Sequence, residues 1–407
     1  RVVWAMAAWE YYLYTGDKSW LESVYDGLKY TALKDIHVAF DANVGLFKGE
    51  TCSMDWRTHT YPNWFINSVI ADSFSSGTNA LHKFFYQFLG TAGRIIQKPA
   101  EEIAMWEKYS GLLKENINKH FWDEKQGCYT CYLYPEYLGY RPTQRVGVMS
   151  NGLAAVLDIA TTGQSIQMVE NFPLYPYGAA VLYPSIPDDF SYHNKSVWPV
   201  WETPYMYAAR DVKNTKVVEH MIKSLVRAGA LFLTHKENMT YDTGYDCGTA
   251  LNSSRQLWSV ASYISMVYRV LFGMTMEEEG ITFTPVVPDL VAGKISLENF
   301  RYRDAVLNVN ITGKGNTVKK ITVNGQDQKL PYLLPATAQG DYTIDIVMTA
   351  THASDKMNLV QPGPREDWSP MEPVLEQKGQ IINCPVESGL RYFLCGTKIE
   401  DKEITFP

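Results

Sequence analysis

The feature that most limits what this chain can become is an alternation in how its helical segments are joined. Over roughly the first 273 residues, stretches with helical apolar periodicity come in pairs, and the joints within pairs are short, as in "TGDKS", "TTGQS" and "RDVKN". The joints between pairs are long and rich in Trp, Tyr, Pro and His: "NVGLFKGETCSMDWRTHTYP", "LYPSIPDDFSYHNKSVWPVWE" and "THKENMTYDTGYDCGTALNSSRQ". Helices are expected at 2–16, apolar all round as in a helix buried on more than one side, and at 17–36, with Asp17 as N-cap. Further helices are expected at 64–89, open to a break at Gly77, and at 100–120, 147–161, 164–171, 203–212, 215–232 and 257–272. Antiparallel hairpins with tight turns at one end and long loops at the other suit a toroid whose loops gather at one mouth, and long ordered loops usually carry function. The chain opens inside a helix without an initiator Met, so the expected architecture is mainly α, an N-terminally incomplete (α/α)6 toroid over residues 1–275.

After "VLFGMTMEEEGITFTPVVPD" the texture changes. "LNVNITGKG" and "KKITVNG" alternate apolar and polar residues and end at Gly turns, the second with an Asn-Gly hairpin signal. A β-sandwich is expected over 276–350, then a Pro-rich connector and a β-rich tail over 351–407.

The 407 residues carry a net charge of -7 and no long basic stripe, which gives no electrostatic case for nucleic acid. No apolar run approaches the ~18–20 residues of a membrane span. The 27 Tyr and 11 Trp supply flat apolar faces with polar edges, which suit sugar rings and large helical cores equally. Among the six cysteines only Cys128 and Cys131 have C-x-x-C spacing, and no second half completes a zinc site. "CYTC" reads as part of a hairpin. Cys384 and Cys395 flank a further hairpin and could pair, which would fit a secreted protein. A secreted or periplasmic location is expected, with no metal and no cofactor.

Cleavage of a glycosidic bond needs two carboxyl groups in different states, one protonated and one ionised. The long aromatic loops offer two. Asp55 in "GETCSMDWR" lies between Met54 and Trp56, whose burial of the carboxyl would favour the acid role, against the pull of Arg57. Read structurally, it is a capping or salt-bridged Asp. Glu237 in "THKENMTYDTG" follows an apolar helix, beside His235 and Lys236, which would keep a general base ionised. Read structurally, it is a solvated Glu at a helix end. Glu50 could bind a sugar hydroxyl, and "SYHN" could shape a subsite through His193 and Asn194. Glu202 in "VWPVWETPY" stands beside tryptophans, yet Thr203-Pro204 reads as a helix N-terminus, where Glu simply favours the dipole. There is no G-x-S-x-G elbow, P-loop or dinucleotide fingerprint.

"GETCSMDWR" resembles the acid-bearing segment of six-hairpin glycosidases, in particular glycoside hydrolase family sixty-three. "HKENMTYDTGYDCGTALNSSRQLWSVASYISMVYRVLFG" resembles the base-bearing loop of the same families, and "YHNKSVWP" a further signature shared with α-L-rhamnosidase-like enzymes. The resemblance implies an exo-acting, inverting hydrolase of an α-linked glycoside in an oligo- or polysaccharide. It makes Asp55 the general acid and Glu237 the general base. Trp56, Trp198 and Trp201 are then candidate sugar platforms, with Glu50, Arg57, His193, Asn194 and Glu202 as further sugar contacts. Cys52 and the Trp56-Arg57 continuation depart from the family pattern. The rival readings on the same toroid are a polysaccharide lyase with Tyr192-His193 as base, a phosphorylase, and a carbohydrate-binding protein without catalysis.

Overall fold

The computed structural model describes residues 2–50, 60–62, 64–186, 191–246, 248–291, 293–351 and 354–362, together with the backbone of five short strands between Glu376 and Thr405. Among the described residues the chain runs through ten α-helices and then a β region of several sheets.

The first hairpin shows how local chemistry sets the joints. Val3–Thr15 stops at Gly16, which takes the left-handed conformation (φ 72°) and donates its N–H to the Tyr12 carbonyl. Asp17 then caps Lys18–Ala39 by accepting from the Trp20 N–H. Lys18–Ala39 buries Leu21, Val24, Tyr25, Leu28 and Ala32, one stripe at helical spacing. Val3–Thr15 differs from its all-round apolar reading: Ala5, Ala8, Tyr12 and Leu13 are buried, while Val3, Trp4 and Tyr11 are exposed.

Ser76–Ile95 packs along Ala100–Phe121, and Val148–Val156 crosses Pro199–Asp211 at backbone distance, where a Cβ on Gly152 would lie 2.3 Å from the Tyr205 nitrogen. Two of the long helices end in matching two-stranded ribbons. Phe40–Asp41 pairs with Leu46–Phe47, and Trp122–Asp123 with Cys128–Tyr129. In each, an Asp side chain (Asp41, Asp123) accepts two backbone N–H groups of the turn, and a left-handed glycine (Gly45, Gly127) closes it. "CYTC" therefore belongs to a ribbon, with Cys128 and Cys131 buried and not in a disulfide. The expected Cys384–Cys395 pair lies outside the described residues.

Four expected helices change, the one at 147–161 by ending early, at Val156. The 64–89 segment becomes Asn67–Ala71, a short strand Phe74–Ser75 and Ser76–Ile95. The cause is tertiary: Phe74 and Ser75 pair with Leu133 and Tyr132, which takes them out of the helix. The helix expected at 203 begins instead at Pro199, which fills the first helical position, so Pro204 sits inside it. The last helix is α over Leu257–Ser265 and widens to a π-turn over Met266–Leu271.

The β region is built on a five-stranded sheet in the order Lys294–Tyr302, Asp304–Thr312, Gln339–Thr349, Thr317–Val323, Gln326–Asp327. All its pairings are antiparallel except that of Asp304–Thr312 with Gln339–Thr349. Asn324 and Gly325, both at positive φ, make the two-residue turn that joins Thr317–Val323 to Gln326–Asp327. A three-stranded sheet of Met274–Met276, Gly280–Phe283 and Leu333–Pro335 shares one apolar core with it, drawn from Ile281, Phe283 and Leu334 on one side and Leu307, Val309, Ile344 and Ile346 on the other. The β region is fastened back onto the first helix. Arg303 donates its backbone N–H to the Tyr14 carbonyl and its Nε to the Leu13 carbonyl, while Arg269 of the π-turn ties the last helix to the first through Glu10. No helix among the described residues is long and apolar enough to cross a membrane.

Candidate active site

The helix Thr215–Phe232 ends at Leu233 in the left-handed conformation, and the chain enters the loop that carries Glu237. That loop closes on itself by backbone pairing. The Glu237 N–H donates to the Ser253 carbonyl and the Gln256 N–H to the His235 carbonyl. Asn238 and Asn252 stitch the interior: the Asn238 amide donates to the Leu251 carbonyl, and the Asn252 amide to the carbonyls of Asn238 and Asp246. Two residues beyond Glu237, Met239–Thr240 pairs with Ser196–Val197. The Glu237 loop and the Ser191–Asn194 segment are thereby laid side by side, with the Ala250 N–H donating to the Ser191 carbonyl.

Glu237 is 8% exposed. Its Oε2 accepts the Ser253 N–H at 3.1 Å, and its Oε1 faces the Tyr192 hydroxyl and the Gln256 side-chain amide, each at 3.4 Å. One oxygen is thus pinned by a rigid amide and the other is loosely attended, an arrangement that orients a carboxylate while leaving lone pairs for a water. Tyr192 is held in turn. Its ring stacks on His193 and meets Trp198 edge-on. Its carbonyl accepts from the Trp198 indole N–H. His193 faces Thr60, with 3.5 Å between Nδ1 and the Thr60 hydroxyl.

The other expected site residues fall as follows. Asp55, Trp56 and Arg57 lie outside the described residues. Glu50 is half-buried, and its carbonyl accepts from the Thr78 hydroxyl at the start of Ser76–Ile95. Trp198 and Trp201 are buried and stacked on each other at 4.6 Å and 10°, so each spends a face on the other. His193 is buried against both indoles. Asn194 closes its own loop, with its amide group bonded to both the N–H and the carbonyl of Ile186. Glu202, read as a sugar contact at a helix start, is instead an interior group. It is 1% exposed, its Oε1 accepts the Ala179 N–H at 2.6 Å, and its Oε2 lies 3.0 Å from the Ser224 hydroxyl. Burial pushes this carboxyl up to about 8. The expected start at Thr203 was the source of the difference: with the helix beginning at Pro199, Glu202 falls on its inward face.

Gln256, a neighbour of Glu237, and Trp258, two residues further on, were not singled out from sequence. Gln256 donates to Glu237 from the residue before the last α-helix. Trp258 follows it, 42% exposed, with its ring 5.9 Å from that of Trp198. Both sit in the quoted Trp-Ser stretch, where they read only as the start of a helix. Among the described residues no group of three His, Cys, Asp or Glu side chains is placed to hold a metal ion.

The sequence matches no protein-family model and no curated protein. Solved structures do resemble it in fold. One titled "Sialidase" aligns with a TM-score of 0.62 at 16% identity, over 79% of this chain and 31% of its own, so the chain spans about a third of that protein's length. A neutral trehalase from Saccharomyces cerevisiae aligns over 49% of this chain and 38% of its own, at 17% identity and TM-score 0.40. A GH78 family rhamnosidase of a Bacillus species aligns over 87% and 34%, at 13% identity and TM-score 0.48. All three names are those of glycosidases, and what the first likeness establishes for this chain is a fold of the kind such a protein uses.

Proposed function

We propose that the chain carries the catalytic site of a glycoside hydrolase, with Glu237 as general base and Asp55 as general acid. The observation that supports this most is a run of contacts joining three loops that are far apart in sequence. Thr60, five positions after Asp55 in the chain, faces His193; His193 stacks on Tyr192; and the Tyr192 hydroxyl faces Glu237. Tyr192 and Gln256 orient Oε1, Ser253 fixes Oε2, and the free lone pairs take the proton of the attacking water. Asp55 protonates the leaving oxygen. Trp258, exposed and next to Trp198, offers a face to a sugar ring.

The finer reading is an exo-acting, inverting enzyme on an α-linked glycoside, built on an (α/α)6 toroid of the six-hairpin kind, related to family sixty-three and exported to the periplasm or the medium. Inversion requires the two carboxyl groups about 6.5–9.5 Å apart, against about 5–5.5 Å for retention. The test is a screen of nitrophenyl α- and β-glycosides, then NMR of the first-formed anomer. Turnover that survives both Asp55→Asn and Glu237→Gln overturns the assignment. An unsaturated, ultraviolet-absorbing product would make the site a lyase, phosphate dependence a phosphorylase, and sugar binding without turnover a lectin-like relative.

A further inference from the structure

Three helices of this chain enter the core with a polar residue at the same place, the fourth of the helix. These are Asn79 in Ser76–Ile95, Asn151 in Val148–Val156 and Glu202 in Pro199–Asp211. The two asparagines do identical work. Asn79 accepts from the Phe47 N–H and donates to the carbonyls of Phe47 and Ser75. Asn151 accepts from the Tyr129 N–H and donates to the carbonyls of Tyr129 and Gly147. Each clamps a β ribbon by accepting at one end and donating at the other.

Glu202 occupies the third instance of this clamp. Its Oε1 accepts from the Ala179 N–H, as the two amide oxygens accept from theirs. Its Oε2 meets Ser224, whose hydroxyl also lies 2.9 Å from the Tyr177 carbonyl. A serine hydroxyl has one hydrogen, and a carbonyl can only accept. The arrangement is satisfied at every atom when Ser224 gives its hydrogen to Tyr177 and Oε2 brings a hydrogen of its own. Gly178 seals the group: a Cβ there would stand 2.4 Å from Oε1 and 2.6 Å from the Ser224 oxygen, and its φ of 139° suits glycine alone.

Among the described residues no charge faces this carboxyl. On Thr215–Phe232, which supplies Ser224, Glu219 pairs with Lys223, His220 bonds the Tyr175 carbonyl, and Arg227 bonds the Gly244 carbonyl over the Tyr177 ring. On its own helix Tyr205 donates to the Val169 carbonyl, and Arg210 pairs with Asp211. The raised proton affinity noted above agrees with this neutral surrounding.

The clamp leads to the site. Ala180, next to Ala179, bridges Val197; Val197 pairs with Met239, two residues after Glu237. The geometry points to Glu202 as a neutral carboxylic acid that stands in for an amide, donating through Ser224 to the Tyr177 carbonyl and so positioning the strand pair that carries Glu237. The positioning half rests on the reading of Glu237 given above. Glu202 is a positioning residue, since it is buried and acts through Ala179 and Ser224. When it ionises in alkali the donor is lost, and the Ala179–Val197–Met239 ladder loosens.

The experiment compares the wild type with E202Q, which supplies the amide permanently. In infrared difference spectra at about pH 6, the wild type shows the carbonyl stretch of a protonated acid that E202Q lacks, and the band gives way to carboxylate above about pH 8. A carboxylate band already present at the lower pH overturns the neutral-acid relay. Hydrogen exchange over 196–198 and 239–241 is equal in the two proteins at the lower pH and about tenfold faster in the wild type at about pH 9. Equal exchange at both overturns the positioning role. In kcat/KM on a nitrophenyl glycoside, the alkaline limb moves upward in E202Q. Should neither protein turn over any glycoside, the glycosidase reading fails, while the spectra and the exchange still decide the relay. S224A guards against misfolding of the first variant: it removes the hydrogen's destination, and its exchange over 196–198 is fast at both pH values, whereas exchange as slow as wild type overturns the relay.

Discussion

Glu202 and Glu237 are both buried, both follow an aromatic or basic neighbour, and both sit within reach of the Ser196–Val197 strand, yet they are built for opposite ends. Glu202 is gripped at 2.6 and 3.0 Å by a backbone amide and a serine, with a glycine packed against it. Glu237 has one such grip, at 3.1 Å, and two contacts at 3.4 Å that leave its second oxygen room for another partner. Burial alone does not mark a working carboxylate. What separates these two is whether the surrounding partners occupy both oxygens or merely aim them.

The contrast can be broken most decisively at Glu237. Glu237→Gln should lower kcat by about 10²–10⁴ with an unchanged circular dichroism spectrum; loss of fold instead would make it a structural residue like Glu202. The pH dependence of stability comes next. The Glu202 carboxyl rises from 4.5 in the unfolded chain to about 8 in the folded protein, so the folded state holds a proton that the unfolded chain has released. Its contribution is complete below about pH 4.5 and fades as pH climbs through about 8, a span of up to about 5 kcal/mol that E202Q should not show in denaturant titrations. Asn151→Ala, the amide version of the same clamp, should cost about 2–4 kcal/mol at every pH, since it strips three buried bonds without a titrating group. A pH-dependent loss there would erase the distinction between amide and acid. Trp258→Ala should raise KM about tenfold with little change in kcat. Tyr192→Phe, which removes one of the loose contacts, should lower kcat about threefold; a loss as large as that of Glu237→Gln would move the base to Tyr192.

Residues with strong local signals were readable in advance. Thr215–Phe232 has the expected bounds because its apolar stripe is long and Asn214 caps it. The Asn324-Gly325 hairpin follows from two residues that accept positive φ. The segment at 64–89 was misread because the helical apolar spacing runs straight through Phe74, and only strand pairing with a distant Leu133 interrupts it. The Thr203-Pro204 pair hides the true start at Pro199, so sequence places Glu202 at a helix N-terminus facing the dipole, whereas the helix carries it on its inward face. Glu237, proposed above as the base, stands out in sequence only by the loop around it. Gln256 and Tyr192 acquire their roles only through backbone pairing across the loops, which no local pattern encodes.

The bonds from Arg303 to the end of the first helix have a bearing on synthesis. Its partner Leu13 lies 290 positions earlier in the chain. At about 5–20 residues per second, the ribosome delivers that arginine roughly fifteen seconds to a minute after the helix has emerged. Through that interval the helix lacks this lock at its far end, and its indoles and phenols stay open to chaperones. Truncated transcripts lacking the β region should therefore yield a nascent chain whose first hairpin is cut by protease, while the segment from Ser76 to Phe121, which packs against its own neighbours, resists.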